Sequence, residues 1–161
     1  MKNSRLTAFE VINGVLRENA YSNLSLEKAL DGAENKDKAF VTRLVYGVLE
    51  RKLTLDYVIN IYLKSKTKPK IKILLYMGTY QILFMDKVPD SAAVNETLKL
   101  ADELGLSFYK KVINAVLRKV CSEKNTVLDN VSLDIKYSCP QSLINTVSYT
   151  HLRAHETPEH L

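Results

Sequence analysis

The sequence predicts an all-α bundle of about seven helices, and three observations carry that reading. Apolar residues recur three and four positions apart through residues 4–120, the spacing that lines one face of a helix. Only five Gly and four Pro are present, too few for a loop-rich scaffold. Hydrophobic residues make up 46% of the 161, enough to bury a core, so disorder is not expected.

The elements follow in order. Ser4–Glu18 carries Leu6, Phe9, Ile12, Val15 and Leu16 on one stripe, with Ser4 expected as its cap. A short second helix over 23–30 runs toward Gly32, read as a C-cap. Asn35 is expected to cap a third helix, whose apolar face holds Phe40, Leu44, Val45, Val48 and Leu49. A fourth begins at Thr54 and runs through Tyr57, Val58, Ile61 and Tyr62. After a lysine-rich connection, Pro69 sits near the first turn of the next helix, 71–84. That helix is apolar almost all round, which places it at the centre of the bundle. Its apolar run is shorter than the roughly 20 residues of a membrane span, and it contains Gly78, Thr79 and Gln81, so no membrane role is expected.

Pro89 and Asp90 stop one element and start the next, 91–104, which closes on Gly105. The last helix starts at Ser107 and carries Phe108, Val112, Ile113, Val116, Leu117 and Val120 on one side. Gly14, Gly47 and Gly78 fall inside helices, where each costs about 1 kcal/mol against Ala, so close helix crossings are expected there. Past residue 121 the character changes. Residues 122–130 read as a polar linker, and Val131, Leu133, Ile135 and Tyr137 then alternate with polar residues, a period-two strand signal. The expected organisation is a helical domain over 4–121, a linker and severed start of a second domain over 122–146, and a foreign tail over 147–161.

Cys121 and Cys139 cannot build a disulfide framework, and no signal peptide precedes the first helix, so a reducing cytoplasm is expected. A formal charge of +5 is compatible with a polyanionic partner. No Gly-rich strand–loop–helix is present to cradle a nucleotide cofactor. The three histidines, His151, His155 and His160, all fall in the last eleven residues. That tail resembles a translated transposase-type sequencing adaptor, which back-translates from Val147 to Thr157 without a mismatch, so no metal site is assigned to it.

Three stretches carry a family resemblance. KDKAFVTRLVYGVLERKLTLDYVI (36–59), YQILFMDKVPDSAAVNETLKLADELG (80–105) and VINAVLRKV (112–120) together resemble the NusB helical RNA-binding fold. The YQ…FMD-VPD-AAVNE wording and NAVLRK resemble one branch of it. That branch is the N-terminal domain of the 16S rRNA cytosine-C5 methyltransferases of the RsmB/Sun group. SLDIKYSCPQSLIN (132–145) resembles the junction that leads those enzymes into their catalytic half. The resemblance implies a parent that methylates rRNA with S-adenosylmethionine through two catalytic cysteines in Pro-Cys and Thr-Cys motifs. It implies no cofactor and no catalytic residue in this fragment, since Cys139 precedes a proline instead. The implied partners are rRNA and the methyltransferase domain of the same chain. Two alternatives stay open: a stand-alone transcription antitermination factor, and a helical protein-binding adaptor.

The RNA-binding candidates are basic. Lys64, Lys66, Lys68, Lys70 and Lys72 form the densest charge run and could track a phosphate backbone, or could be an ordinary solvated loop. Arg5, Arg43, Arg51 and Arg118 match basic positions of the resembled family, and the planar guanidinium suits phosphate. Gly47, Asn95, Glu96 and Asn114 belong to family-like words and are expected to be structural, the two Asn by bonding another helix or a loop. Tyr46 and Tyr80 are expected to pack in the core, and Cys121 to be inert.

Overall fold

The structure, a computed structural model, describes residues 3–129 and 131–138, and every described element is helical. Helix α1 (Ser4–Glu18) is opened by Asn3 and not by Ser4: the Asn3 side chain accepts the Arg5 N–H at 2.8 Å. The Ser4 hydroxyl donates instead to Asp37 at 3.1 Å, tying the start of α1 to α3. Helix α2 (Ser22–Ala29) packs chiefly on α1. Helix α3 (Asn35–Glu50) begins with Asn35 inside the helix, and its N-cap is Glu34, which makes no side-chain cap bond. Arg51 alone separates α3 from α4 (Lys52–Tyr62), which starts two residues before Thr54 and leaves Thr54 fully buried.

Helix α5 (Pro69–Phe84) is the hub, as its all-round hydrophobicity predicts, and it touches α1, α3, α4, α6 and α7. Pro69 occupies the first turn, where a missing N–H leaves no bond unmade. Gln81 is completely buried there, and both ends of its amide are satisfied. Its Nε2 donates to the Met77 carbonyl at 2.9 Å, and its Oε1 accepts from Arg5 Nε at 2.9 Å. Helix α6 (Asp90–Glu103) ends as a paired turn around Gly105 (φ +74). The Gly105 N–H reaches the Asp102 carbonyl, and the Leu106 N–H reaches Ala101 at 2.8 Å.

A 3-10 turn, Ser107–Tyr109, then leads into α7 (Lys110–Glu123). Ile113, Val116, Leu117 and Val120 form the buried seam of α7, but Phe108 does not join it and stands 87% exposed. Phe108 lies five residues before Ile113, about 140° round a helix from the seam, and the tighter turn moves it further out. Among the internal glycines, Gly47 and Gly78 do mark crossings. A Cβ on Gly47 would run into the Tyr80 ring, and one on Gly78 would come within 2.8 Å of Leu117. Gly14 does not: its nearest neighbour is Ala20, in the turn that ends its own helix.

The expected strand at 131–138 is a short helix, α8 (Leu133–Tyr137). With no described strand to pair with, the segment satisfies its backbone within one helical turn and against α4. Val127, in the segment read as a polar linker, closes onto the core and is buried. Cys139 and the tail lie outside the described residues.

Candidate nucleic-acid interface

The basic candidates divide into side chains bound to the bundle and side chains open to solvent. Arg5 is the most internal. Its Nε holds Gln81, and its guanidinium lies over the Phe40 ring at 4.9 Å. Burial pulls its pKa below the usual arginine value, with Glu96 on α6 opposing the shift. Arg5 is therefore a structural cation. Arg43 is exposed, yet it donates to the Phe84 carbonyl at 2.7 Å and closes the C-terminal end of α5. Arg51 lies over the Phe84 ring at 4.8 Å and reaches the Lys136 carbonyl at 3.4 Å.

The lysine run divides in the same way. Lys64 folds back onto the Ile61 carbonyl at 2.8 Å. Lys72 is half-buried beside Asp56 at 3.5 Å, in a cluster with Lys52 and the Tyr76 hydroxyl, which donates to Asp56. Burial, and then Asp56, push the Tyr76 pKa up. Lys66 and Lys70 are exposed and make no hydrogen bond or ion pair among the described residues. Lys68 leans over the Tyr109 ring at 5.7 Å.

That last contact brings together residues that the sequence keeps some forty positions apart. Tyr109 packs edge-on against Phe108, with ring centroids 5.2 Å apart. Beneath them Asp102 accepts from Ser107 at 2.6 Å and from Lys110 at 2.9 Å, which fixes the turn and lowers the Asp102 pKa. Lys111 and Arg118 are exposed and seven residues apart, so they continue along one face of α7. Arg118 donates to Asn114 of its own helix, at 3.3 Å. The result is an open aromatic edge, Phe108 on Tyr109, with Lys68 over the Tyr109 ring; exposed Lys66 and Lys70 neighbour Lys68 in sequence, and exposed Lys111 and Arg118 follow on α7. Exposed rings stack on unpaired bases, and flanking cations follow the backbone.

Sequence reasoning missed Phe108, Tyr109 and Lys111. The available signal was helical phase, since Phe108 is out of step with the α7 seam. The structural candidates also need correction. Asn95 is exposed and bonds no other helix among the described residues, and Asn114 bonds only within α7. Glu96 is half-buried, pairs with Lys99 at 3.2 Å and faces Arg5 electrostatically. Gly47 is structural, Tyr80 is buried and Tyr46 is half-buried against the core. Cys121 is half-buried, and burial pushes its pKa up, away from reactivity.

The family profile described as "NusB family" matches residues 2–122, the whole bundle through α7. The chain belongs to the NusB family. The chain also resembles part of longer proteins. The chain is 32% identical to a probable ribosomal RNA small subunit methyltransferase B of Synechocystis sp., over 93% of this chain and 36% of that protein. It is 33% identical to the corresponding probable methyltransferase of Bacillus subtilis, over 72% of this chain and 27% of that one. It is also 32% identical to the transcription antitermination protein NusB of Bacillus licheniformis, over 63% of this chain and 80% of that protein. The chain thus spans about a third of the methyltransferases it matches. No described helix is long and apolar enough to cross a membrane, and no described residues form a metal-holding group of His, Cys, Asp and Glu.

Proposed function

We propose that this NusB domain binds single-stranded rRNA and is the N-terminal, RNA-positioning part of a 16S rRNA cytosine-C5 methyltransferase. The observation that carries the RNA reading is Phe108, an 87% exposed ring held edge-on by Tyr109, whose own ring carries Lys68. The methyltransferase reading is supported by reach. The Synechocystis match covers 93% of the chain and so goes beyond the bundle, while the Bacillus licheniformis antitermination match covers 63%.

S-adenosylmethionine is proposed for the parent enzyme and not for this bundle. The described residues contain no strand, hence no strand–loop–helix cradle for a nucleotide-like cofactor, and no methyl-transfer step is assigned to them. Residues 122–146 are the start of the catalytic half in this reading, and 147–161 derive from adaptor sequence. The second reading, an antitermination factor, is favoured by the 80% coverage of the Bacillus licheniformis protein.

Two measurements test this. Filter binding of the 161-residue chain to single-stranded 16S rRNA segments should give an affinity that falls steeply with salt. No binding, or binding indifferent to salt, would leave a protein-binding adaptor. Sequencing intact DNA past the codon for Asn145 decides the parent. A frame running on through a Gly-rich cofactor loop and a Pro-Cys motif supports the methyltransferase, and an early stop supports the factor.

A further inference from the structure

Two helix ends meet at the α3–α4 corner and complete each other. A helix leaves its first N–H groups and last carbonyls without internal partners. Helix α4 starts after Arg51 with no cap from its own neighbouring side chains. The hydroxyl of Ser138, 85 residues away, supplies one by accepting the Leu53 N–H at 2.9 Å. In the other direction, the Thr54 hydroxyl donates to the carbonyl of Ile135, and the Arg51 guanidinium donates to that of Lys136. Both carbonyls belong to the last turn of α8. Arg51 is itself fixed over the Phe84 ring.

Two features bear on this arrangement. Ser138 adopts φ +58 as the left-handed C-cap of α8, its N–H turned back to the Asp134 and Ile135 carbonyls, and this turn carries the hydroxyl that meets Leu53. Thr54 is fully buried, where a hydroxyl must find a partner or lose free energy. The buried Thr54 hydroxyl finds its partner in this reciprocal cap, and the Ser138 turn places a second hydroxyl in it.

We propose that residues 131–138 form an anchored joint, held to the start of α4 by this reciprocal set of carbonyls and hydroxyls. The joint fixes where Ser138 sits against the bundle. Leu133 is exposed and Val131, Ile135 and Tyr137 are only half-buried, so apolar burial in the segment is limited and the polar bonds add to it. The joint sits at the Phe84 end of α5, and Lys68 with its aromatic edge sits at the other, about 24 Å along a helix of 16 residues. Ser138 is thereby held at a set distance from the Lys68–Tyr109 contact. The joint stands whichever parent the chain has; its use in aligning a catalytic half rests on the methyltransferase reading.

Backbone ¹⁵N relaxation and amide exchange on the whole chain test this, comparing it with Ser138→Gly, Ser138→Ala and the double variant Thr54→Val/Ser138→Gly. In the parent chain residues 133–137 should be as ordered as the bundle, with order parameters of about 0.85, falling below about 0.6 in the double variant. The Leu53 amide should exchange about tenfold faster in Ser138→Gly, although glycine suits the left-handed turn. Unchanged α5 amides would show that the joint, and not the bundle, has loosened. Low order at 133–137 in the parent chain, or no loss of order in the double variant, overturns the joint. RNA binding is read separately at Phe108, so its failure would sink the RNA reading and leave the joint standing.

Discussion

The ring of Tyr80 on α5 occupies the space that a Cβ on Gly47 of α3 would need. The glycine is what lets these two helices cross so closely, and Tyr80 in turn packs against Phe84 with centroids 5.3 Å apart. Gly47→Ala gains roughly 1 kcal/mol of helix propensity but overpacks the crossing by about 1–3 kcal/mol. A net loss of up to about 2 kcal/mol is expected in urea unfolding, and a smaller loss in a Tyr80→Leu background. Equal losses in both backgrounds would show that the ring is not the obstacle.

Arg5→Ala should weaken the fold more than it weakens RNA binding. It leaves the Oε1 of fully buried Gln81 without its donor, at about 1–3 kcal/mol, and it removes the cation over Phe40. Thermal unfolding reads the first effect. Affinity for 16S rRNA segments, measured well below the transition, should change less than about twofold. A large affinity loss with unchanged stability would return Arg5 to the interface.

Phe108→Ala should do the opposite. The ring is exposed, so stability should stay within about 0.5 kcal/mol. Loss of a stacking base should cost about 1–3 kcal/mol of binding. Unaltered affinity would remove Phe108 from the site.

Lys66→Gln and Lys70→Gln together test the solvent-facing lysines. Each phosphate contact contributes about 0.7 to the slope of log affinity against log salt for a single strand, so the pair should lower that slope by about 1.4. Lys72→Gln, whose ammonium faces Asp56, should leave the slope unchanged.

The bundle should also weaken in alkali through Tyr62. Burial, and then its bond to Glu123 at 2.7 Å, push the Tyr62 pKa from 10.0 up to about 12. A raised folded-state pKa means that this contribution is complete below about pH 10 and is lost as pH rises from 10 to 12. Stability measured across that window should fall less steeply in Tyr62→Phe. Identical slopes would mean that the bond between α4 and α7 carries no linkage.

Much of the fold was legible because helical periodicity is local. The α7 seam and the all-round apolarity of α5 are read from spacing alone, and Gly105 announced the end of α6. Cap identities were less legible. Ser4 and Asn3 are both good caps, and only the demand of Asp37 on the Ser4 hydroxyl separates them. The strand signal at 131–138 failed because period-two alternation needs a partner strand to become a strand, while one turn of helix satisfies its own backbone.

The site divides along the same line. Composition and motif by themselves determined a basic, all-helical NusB bundle and named the cations that could meet RNA. Tertiary structure alone decided which of them are free to do so. It turned Arg5 inward to Gln81, bound Lys72 to Asp56, and laid Lys68 across Tyr109 so that Phe108 stands beside the lysine loop. The reason is physical. Whether a residue favours a helix depends on its neighbours a turn away, but whether its charge faces water depends on what the other helices bring beside it.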